Sequence, residues 1–517
     1  MLTKILSAAH FGLETIPVEV EVNVSKKGFP GFTIIGLPSK AIEEAKERVK
    51  TAIINSGLDF PQAKIIVNLA PADIPKEGSC YDLPMAVGIL ACLGLVRLPA
   101  EKSFFYGELS LDGSLRHSKG VLLLALAAQS LKVDSLYIPQ ESANEARVVK
   151  KIKIFPLINL SQLMAHLSGL ELIKPAPPFS AKERTQNLGV TETEFDFGEI
   201  LGQEQAKRAL EIAAAGGHNI FLQGPPGAGK TMLARALPGI LPALTEEESL
   251  EVTKIYSVTG NIPPGGTLIK IRPFRASHHT TSRAGLIGGG SPPHPGEISL
   301  AHYGVLFLDE FPEFSRATLE ALRQPMEDGV VNISRVTGSV KFPAQFTLVA
   351  AANPCPCGFL GDPKKECRCT PRQILHYQSK LSGPLLDRID LHLTVPAVEV
   401  EKLMPACASR KIYKAEKSRT IRSRVATARK IQSRRFKNSG IFTNAQMKNK
   451  EVKKLCHLTP PAYSLLKQAV SNFNLSARTY FRLVKVSQTI ADLAGEKKIT
   501  EAHVAEALQY RLRLPEA

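Results

Sequence analysis

Residues 224–231 read GPPGAGKT, and no other stretch restricts what this chain can fold into as much. The octapeptide fits G-x-x-x-x-G-K-[ST], a loop whose glycines let backbone N–H groups face phosphate oxygens. Such a loop works only between a strand and a helix. The apolar NIFLQ (219–223) precedes it and KTMLARAL (230–237) follows. The context predicts a strand–loop–helix unit, with the positive end of the helix dipole added to the cradle. Gly224, Pro225, Pro226, Gly227, Ala228, Gly229, Lys230 and Thr231 are therefore the expected nucleotide-binding residues. Lys230 is expected to reach the β- and γ-phosphates of ATP, and Thr231 to bind Mg2+.

A second element supports the first. GVLFLDEF (304–311) is an apolar strand ending in two carboxylates. Asp309 is expected to hold Mg2+, directly or through water, and Glu310 to polarise the attacking water. FTLVAAANP (346–354) is another buried strand, ending in Asn353. On residues alone Asn353 is either a strand-end turn residue or a group that positions the water. Arg388, in LSGPLLDRID (381–390), is either a surface salt-bridge partner or a catalytic cation.

At 517 residues the chain has room for about three to four domains. Residues 1–171 alternate strand-like and helix-like segments, which predicts an α+β domain. VEVEVNV (18–24), KIIVNLAP (64–71) and SLYIP (135–139) read as strands. Residues 41–57, 82–96 and 122–131 read as helices. Residues 172–196 are Pro-rich and polar, a linker; 197–400 are strongly α/β; 401–517 are helical and basic. Net charge is +17, which favours a polyanionic partner such as nucleic acid. No run of about 18 apolar residues and no signal-peptide pattern is present, so no membrane segment and a cytoplasmic location are expected. The eight cysteines are then thiols or metal ligands rather than disulfides.

Four of them fall in CPCGFLGDPKKECRC, an insert at 355–369. Cys355, Cys357, Cys367 and Cys369 form two C-x-C pairs across a Gly/Pro loop, a pattern that can close a structural Zn2+ site. The alternative is free thiols. His278 and His279 are either further ligands or polar loop residues. VVNISRVTGSVKFPAQF (330–346) reads as a hairpin turning at Thr337–Gly338, with Arg335 and Lys341 as candidate phosphate contacts. Residues 410–437 hold twelve Lys/Arg and one Glu, either a phosphate-tracking surface or a solvated helix face.

In this order, GPPGAGKT, VLFLDE, Asn353 and GPLLDRID resemble the AAA+ ATPases. The resemblance implies an α/β P-loop core with a helical lid. It makes Asn353 sensor 1, Arg388 an arginine finger acting on a neighbour's nucleotide, and Arg478 in NLSARTYFRLVKVSQTIADL (474–493) sensor 2. It also implies a ring, expected to be a hexamer. RPFRASHHTTSRAGLIGGGSPPHPGEISLAHYGVLFLDE (272–310) resembles the magnesium-chelatase branch, and AANPCPCG with a domain ahead of the ATPase resembles the YifB/ComM family. That resemblance covers essentially the whole chain. It implies a DNA-remodelling motor, a hexameric helicase promoting branch migration in recombination or natural transformation, on single-stranded or branched DNA.

The N-terminal region resembles the Lon-protease (ribosomal S5 domain 2-like) fold through PKEGSCYDLPMAVGIL (75–90) and GELSLDGSLRHSKGVLLLALAA (107–128). Cys80 stands where that fold's nucleophilic serine is expected, and Leu122 and Leu124 where its lysine is. Leucine cannot take a proton, so no peptidase activity is expected and Cys80 reads as a packing thiol. The competing reading is a chelatase-like ATPase that remodels a protein partner; the basic balance and the cysteine cluster fit it less well.

Overall fold

The computed structural model describes residues 2–179, 195–291, 293–335, 338–362, 365–397, 416–437 and 439–511. These fall into two compact units. The first holds the described residues up to 179, together with Glu246–Lys270 and residues 293–294. The second holds 195–245, 271–291 and the described chain from Pro295 onward.

The first unit is built on a seven-stranded sheet. Its strand order is Gly31–Ile35, Lys64–Ala70, Glu14–Ser25, Leu2–Phe11, Ser103–Phe105, Ser135–Pro139 and Lys153–Leu157. The Glu14–Ser25 strand runs antiparallel to both of its neighbours, and the other four pairs are parallel. Alternation explains the second strand. Val18, Val20 and Val22 are fully buried, while Glu19 and Glu21 face out to Lys4. The helix Lys40–Asn55 buries Ile42, Ala45, Val49, Ala52 and Ile53 on one stripe. The helix expected over 82–96 spans Asp82–Cys92 instead. Gly94, at φ +75°, donates to Ala91 O and turns the chain away. Leu122 and Leu124 are fully buried, and burial pushes the Cys80 thiol up to about 12.

The helix Glu246–Thr259 follows the phosphate-loop helix in sequence yet belongs to this first unit. It packs on the helix Val121–Ser130. Ser257 donates its hydroxyl to the buried Glu145 carboxylate, which also accepts the Leu122 N–H at 2.8 Å. The Ser257 carbonyl takes the Gly120 N–H at 3.0 Å.

The second unit centres on a five-stranded sheet ordered Phe274–Ser277, Val305–Leu308, Thr347–Ala352, Ile220–Gln223 and Leu391–Thr394, all parallel. Parallel strands covered on both faces read as continuous apolar runs, which is why VLFL and TLVAAA are buried throughout. Helices Ser418–Arg435, Asn449–Leu455, Pro460–Asn472, Ala477–Ala494 and Glu501–Gln509 share its core through Ile421, Val425, Leu466, Leu483 and Val504.

A buried polar chain fastens these helices to the sheet. His218 lies between Asp390 (3.1 Å) and Thr489 (2.8 Å), and Asn444 joins Thr489 to Asp492, which pairs with Arg435. Every one of these buried polar groups has a partner, so the network orients the helices without an unpaired charge. No helix among the described residues is long and apolar enough to cross a membrane.

Candidate nucleotide site

Parallel register decides where the site falls. Gln223 pairs with Ala352, and Ser277 with Leu308. The C-terminal ends of these strands therefore open on one edge, where open parallel sheets bind ligands. That edge carries the phosphate loop, Asp309–Glu310 and Asn353 together.

The loop lies between the strand Ile220–Gln223 and the helix Lys230–Ala236, with Gly227 at φ +78° and Gly229 at φ +84°. Lys230 Nζ donates to Gly224 O (2.6 Å), Pro225 O (2.9 Å) and Asn353 Oδ1 (3.1 Å). Burial lowers its pKa and the Asp309 charge partly offsets this. Thr231 Oγ1 donates to Asp309 Oδ2 at 3.1 Å, and Asp309 Oδ1 accepts the Glu310 N–H at 2.9 Å. One hydroxyl and one carboxylate in contact make a hard-oxygen donor pair of the kind Mg2+ takes.

Glu310 sits at φ +50°, a left-handed conformation that non-glycine residues adopt rarely. Its Oε2 lies 2.7 Å from His279 Nδ1. That nitrogen is buried and makes no directed hydrogen bond, so the two side chains stand in close contact without one. His279 follows the strand Phe274–Ser277, the sheet neighbour of Val305–Leu308. Sequence reading took it for a zinc ligand or a polar loop residue; adjacency of the two strands was the missing signal. His278, His279 and Glu310 offer donors within 4.8 Å of one another.

The four cysteines converge. Cys355 Sγ lies 3.3 Å from Cys357 Sγ and 3.6 Å from Cys367 Sγ, and the Cys357 N–H donates to Cys369 Sγ. All four sulfurs fall within 4.8 Å of one another. Thiolates about 2.3 Å from a tetrahedral Zn2+ lie about 3.8 Å apart, so the set fits that ion. The Phe359 N–H stabilises the Cys357 thiolate, whose pKa falls to about 6. This loop abuts the phosphate loop: a Cβ on Gly358 would lie 2.6 Å from Pro226 Cδ.

Arg388 and Arg478 meet on one carboxylate. Arg388 Nη2 is 2.8 Å from Glu327 Oε1, and Arg478 Nη2 donates to the same oxygen. Burial raises the Glu327 pKa, but the two guanidiniums outweigh it and hold the group below the usual carboxylate range. Nothing in the sequence near Glu327 signals this contact.

The hairpin pairs Val330–Arg335 with Gly338–Pro343. Arg335 is opposite Gly338, so Gly338, expected in the turn, belongs to the second strand; Val336 and Thr337 lie outside the described residues. Val331, Ile333, Val340 and Phe342 are buried, while Arg335 and Lys341 are exposed. In the basic stretch, 410–415 lie outside the described residues. Of the rest, Arg422 donates to Gly239 O (2.7 Å), Arg424 to Glu211 (2.6 Å) and Arg429 to Ala214 O (2.8 Å). Arg435 pairs with Asp492. Those four arginines fasten their helix to the core.

The magnesium chelatase subunit ChlI family model matches residues 196–403. Models for subunit ChlI of Mg-chelatase and for the ChlI C-terminal region match 20–142 and 415–511. Competence protein ComM of Haemophilus influenzae is 43% identical over 99% of this chain and 97% of its own length. YifB of Escherichia coli is 41% identical over 99% and 97%. Magnesium-chelatase subunit ChlI of Olisthodiscus luteus is 24% identical over 40% of this chain and 59% of its own.

Proposed function

The chain belongs to the YifB/ComM family of magnesium-chelatase-like AAA+ proteins, and from that membership we propose that it is an ATP-hydrolysing motor acting on DNA. The observation that carries the ATPase reading is the convergence of Lys230, Thr231–Asp309, Glu310 and Asn353 on one sheet edge. Backbone N–H groups of 227–231 and the Lys230 ammonium bind the β- and γ-phosphates. Thr231 and Asp309 would hold Mg2+, which supplies charge neutralisation on the phosphate oxygens. Glu310, steadied by His279, takes a proton from the attacking water. Asn353 orients that water, and its bond to Lys230 links the water to the phosphate. The cysteine quartet would hold a structural Zn2+ that stiffens the loop beside Pro226.

The DNA reading rests on the net charge of +17, on Arg335 and Lys341 exposed at the hairpin, and on similarity to a protein named for competence. A ring, expected to be hexameric, would present one hairpin per subunit to the phosphate backbone. Binding should then depend on charge more than on sequence. Branch migration of recombining strands is the work proposed for it.

Fluorescence anisotropy on labelled single-stranded and branched DNA tests this. The double variant Arg335→Ala, Lys341→Ala should weaken binding and lower the slope against log salt by about one to two. An unchanged slope would remove the hairpin from the interface.

A further inference from the structure

One carboxylate oxygen, Glu327 Oε1, is shared by the two arginines expected to serve catalysis. Arg388 is also held by Pro384 O at 2.6 Å, and its side chain is only 14% exposed. Arg478 opens the helix Ala477–Ala494 and is 45% exposed. One turn on, Arg482 donates to Ile389 O at 2.5 Å, fastening that helix to the segment that carries Arg388. Glu327 stands in the last turn of the helix Arg323–Asp328, two residues ahead of Gly329 and three ahead of the hairpin strand.

Two guanidiniums this close repel. One carboxylate between them offsets the repulsion yet leaves a net positive charge, so the pair can still take a phosphate oxygen. With both on one oxygen, the two guanidiniums lie close enough together to face a single phosphate group.

We propose that Glu327 is a positioning residue that holds Arg388 and Arg478 as a single pair aimed at one nucleotide phosphate. This rests on the ATPase reading above. Without the negative charge the guanidiniums splay, and the transition state loses an aligned cation pair. Glu327 itself touches no phosphate, so ATP affinity should hardly change while turnover falls.

The test measures phosphate release and fluorescent-nucleotide binding by the full-length protein. The variants are Glu327→Gln, Glu327→Asp, Arg388→Ala, Arg478→Ala and the double variant Glu327→Gln, Arg388→Ala. Arginines of this kind are worth on the order of 10³–10⁵ in rate, and loss of aim should lower kcat by at least about tenfold in Glu327→Gln. Nucleotide Kd should stay near wild type, Glu327→Asp should recover part of the rate, and the double variant should be no slower than Arg388→Ala alone. Wild-type turnover in Glu327→Gln with both arginine variants impaired would overturn the inference and leave the ATPase reading standing. Full turnover in both arginine variants would overturn the inference together with the catalytic role given to those arginines. Additive losses in the double variant would show that Glu327 does not act through Arg388, and would overturn it too.

Discussion

Gly358→Ala probes the join between the cysteine loop and the phosphate loop. Gly358 sits at φ +85° and donates its N–H to Cys355 O at 2.9 Å. A Cβ there would lie 2.6 Å from Pro226 Cδ and 3.3 Å from Pro226 Cγ. Carbon atoms rest about 3.5–4.0 Å apart, so the loops must separate by about 1 Å. The proline ring has no rotamer to turn away. Pro226 neighbours the two carbonyls that hold Lys230, so the ammonium moves with it.

A misplacement of about 1 Å can cost 10²-fold in rate. Alanine in left-handed backbone adds about 1–2 kcal/mol of local strain. Gly361→Ala separates these effects: Gly361 has φ +75° on the same loop, and a Cβ there meets nothing within 4 Å. We expect phosphate release to fall about 10- to 100-fold in kcat/KM for Gly358→Ala. Gly361→Ala should stay close to wild type, with circular dichroism of both unchanged. Equal activity of the two variants would refute the claim that the cysteine loop positions the phosphate loop.

Other expectations follow from single contacts. Cys355→Ser, Cys367→Ser should release the Zn2+ that the wild type retains in a colorimetric metal assay, and should be less active; no metal in the wild type would dismiss the site. His279→Ala should bind ATP normally but turn it over more slowly, because Glu310 loses the side chain that packs against its carboxylate at 2.7 Å; unchanged kcat would free Glu310 of it. In the first unit, burial lowers His10 from 6.5 to about 4. Between those values the unfolded chain binds a proton that the folded chain does not. Stability from this group is therefore present above pH 6.5 and lost as pH falls toward 4, by up to about 3 kcal/mol. Urea unfolding at pH 7 and pH 5 should show a smaller pH effect in His10→Gln than in wild type, and equal effects would contradict the assignment.

Much of the nucleotide site was legible because its parts are local. GPPGAGKT, LDE and the strands before them are continuous segments whose periodicity and spacing stand in the sequence, and the helix 41–57 announces itself by its apolar stripe. The first strand, Leu2–Phe11, was not legible: in mid-sheet its apolar residues follow no strict alternation. Contacts between distant segments left no signal either. His279 meets Glu310, and Glu327 meets Arg388 and Arg478, only because sheet order and helix packing bring them together. The basic stretch misled in part because charge alone cannot tell an arginine that faces water from one that caps a carbonyl, as Arg422 and Arg429 do.

The central claim is that Glu310-dependent ATP hydrolysis is coupled to DNA. Its most direct test is phosphate release by wild type and Glu310→Gln, at low salt, with no DNA and with single-stranded, duplex and branched DNA side by side. A general base is worth about 10²–10⁴ in rate, so Glu310→Gln should bind ATP yet lose about that factor. Wild-type turnover should rise with DNA, most with single-stranded or branched forms. Normal turnover in Glu310→Gln, or a wild-type rate indifferent to every DNA, would contradict it.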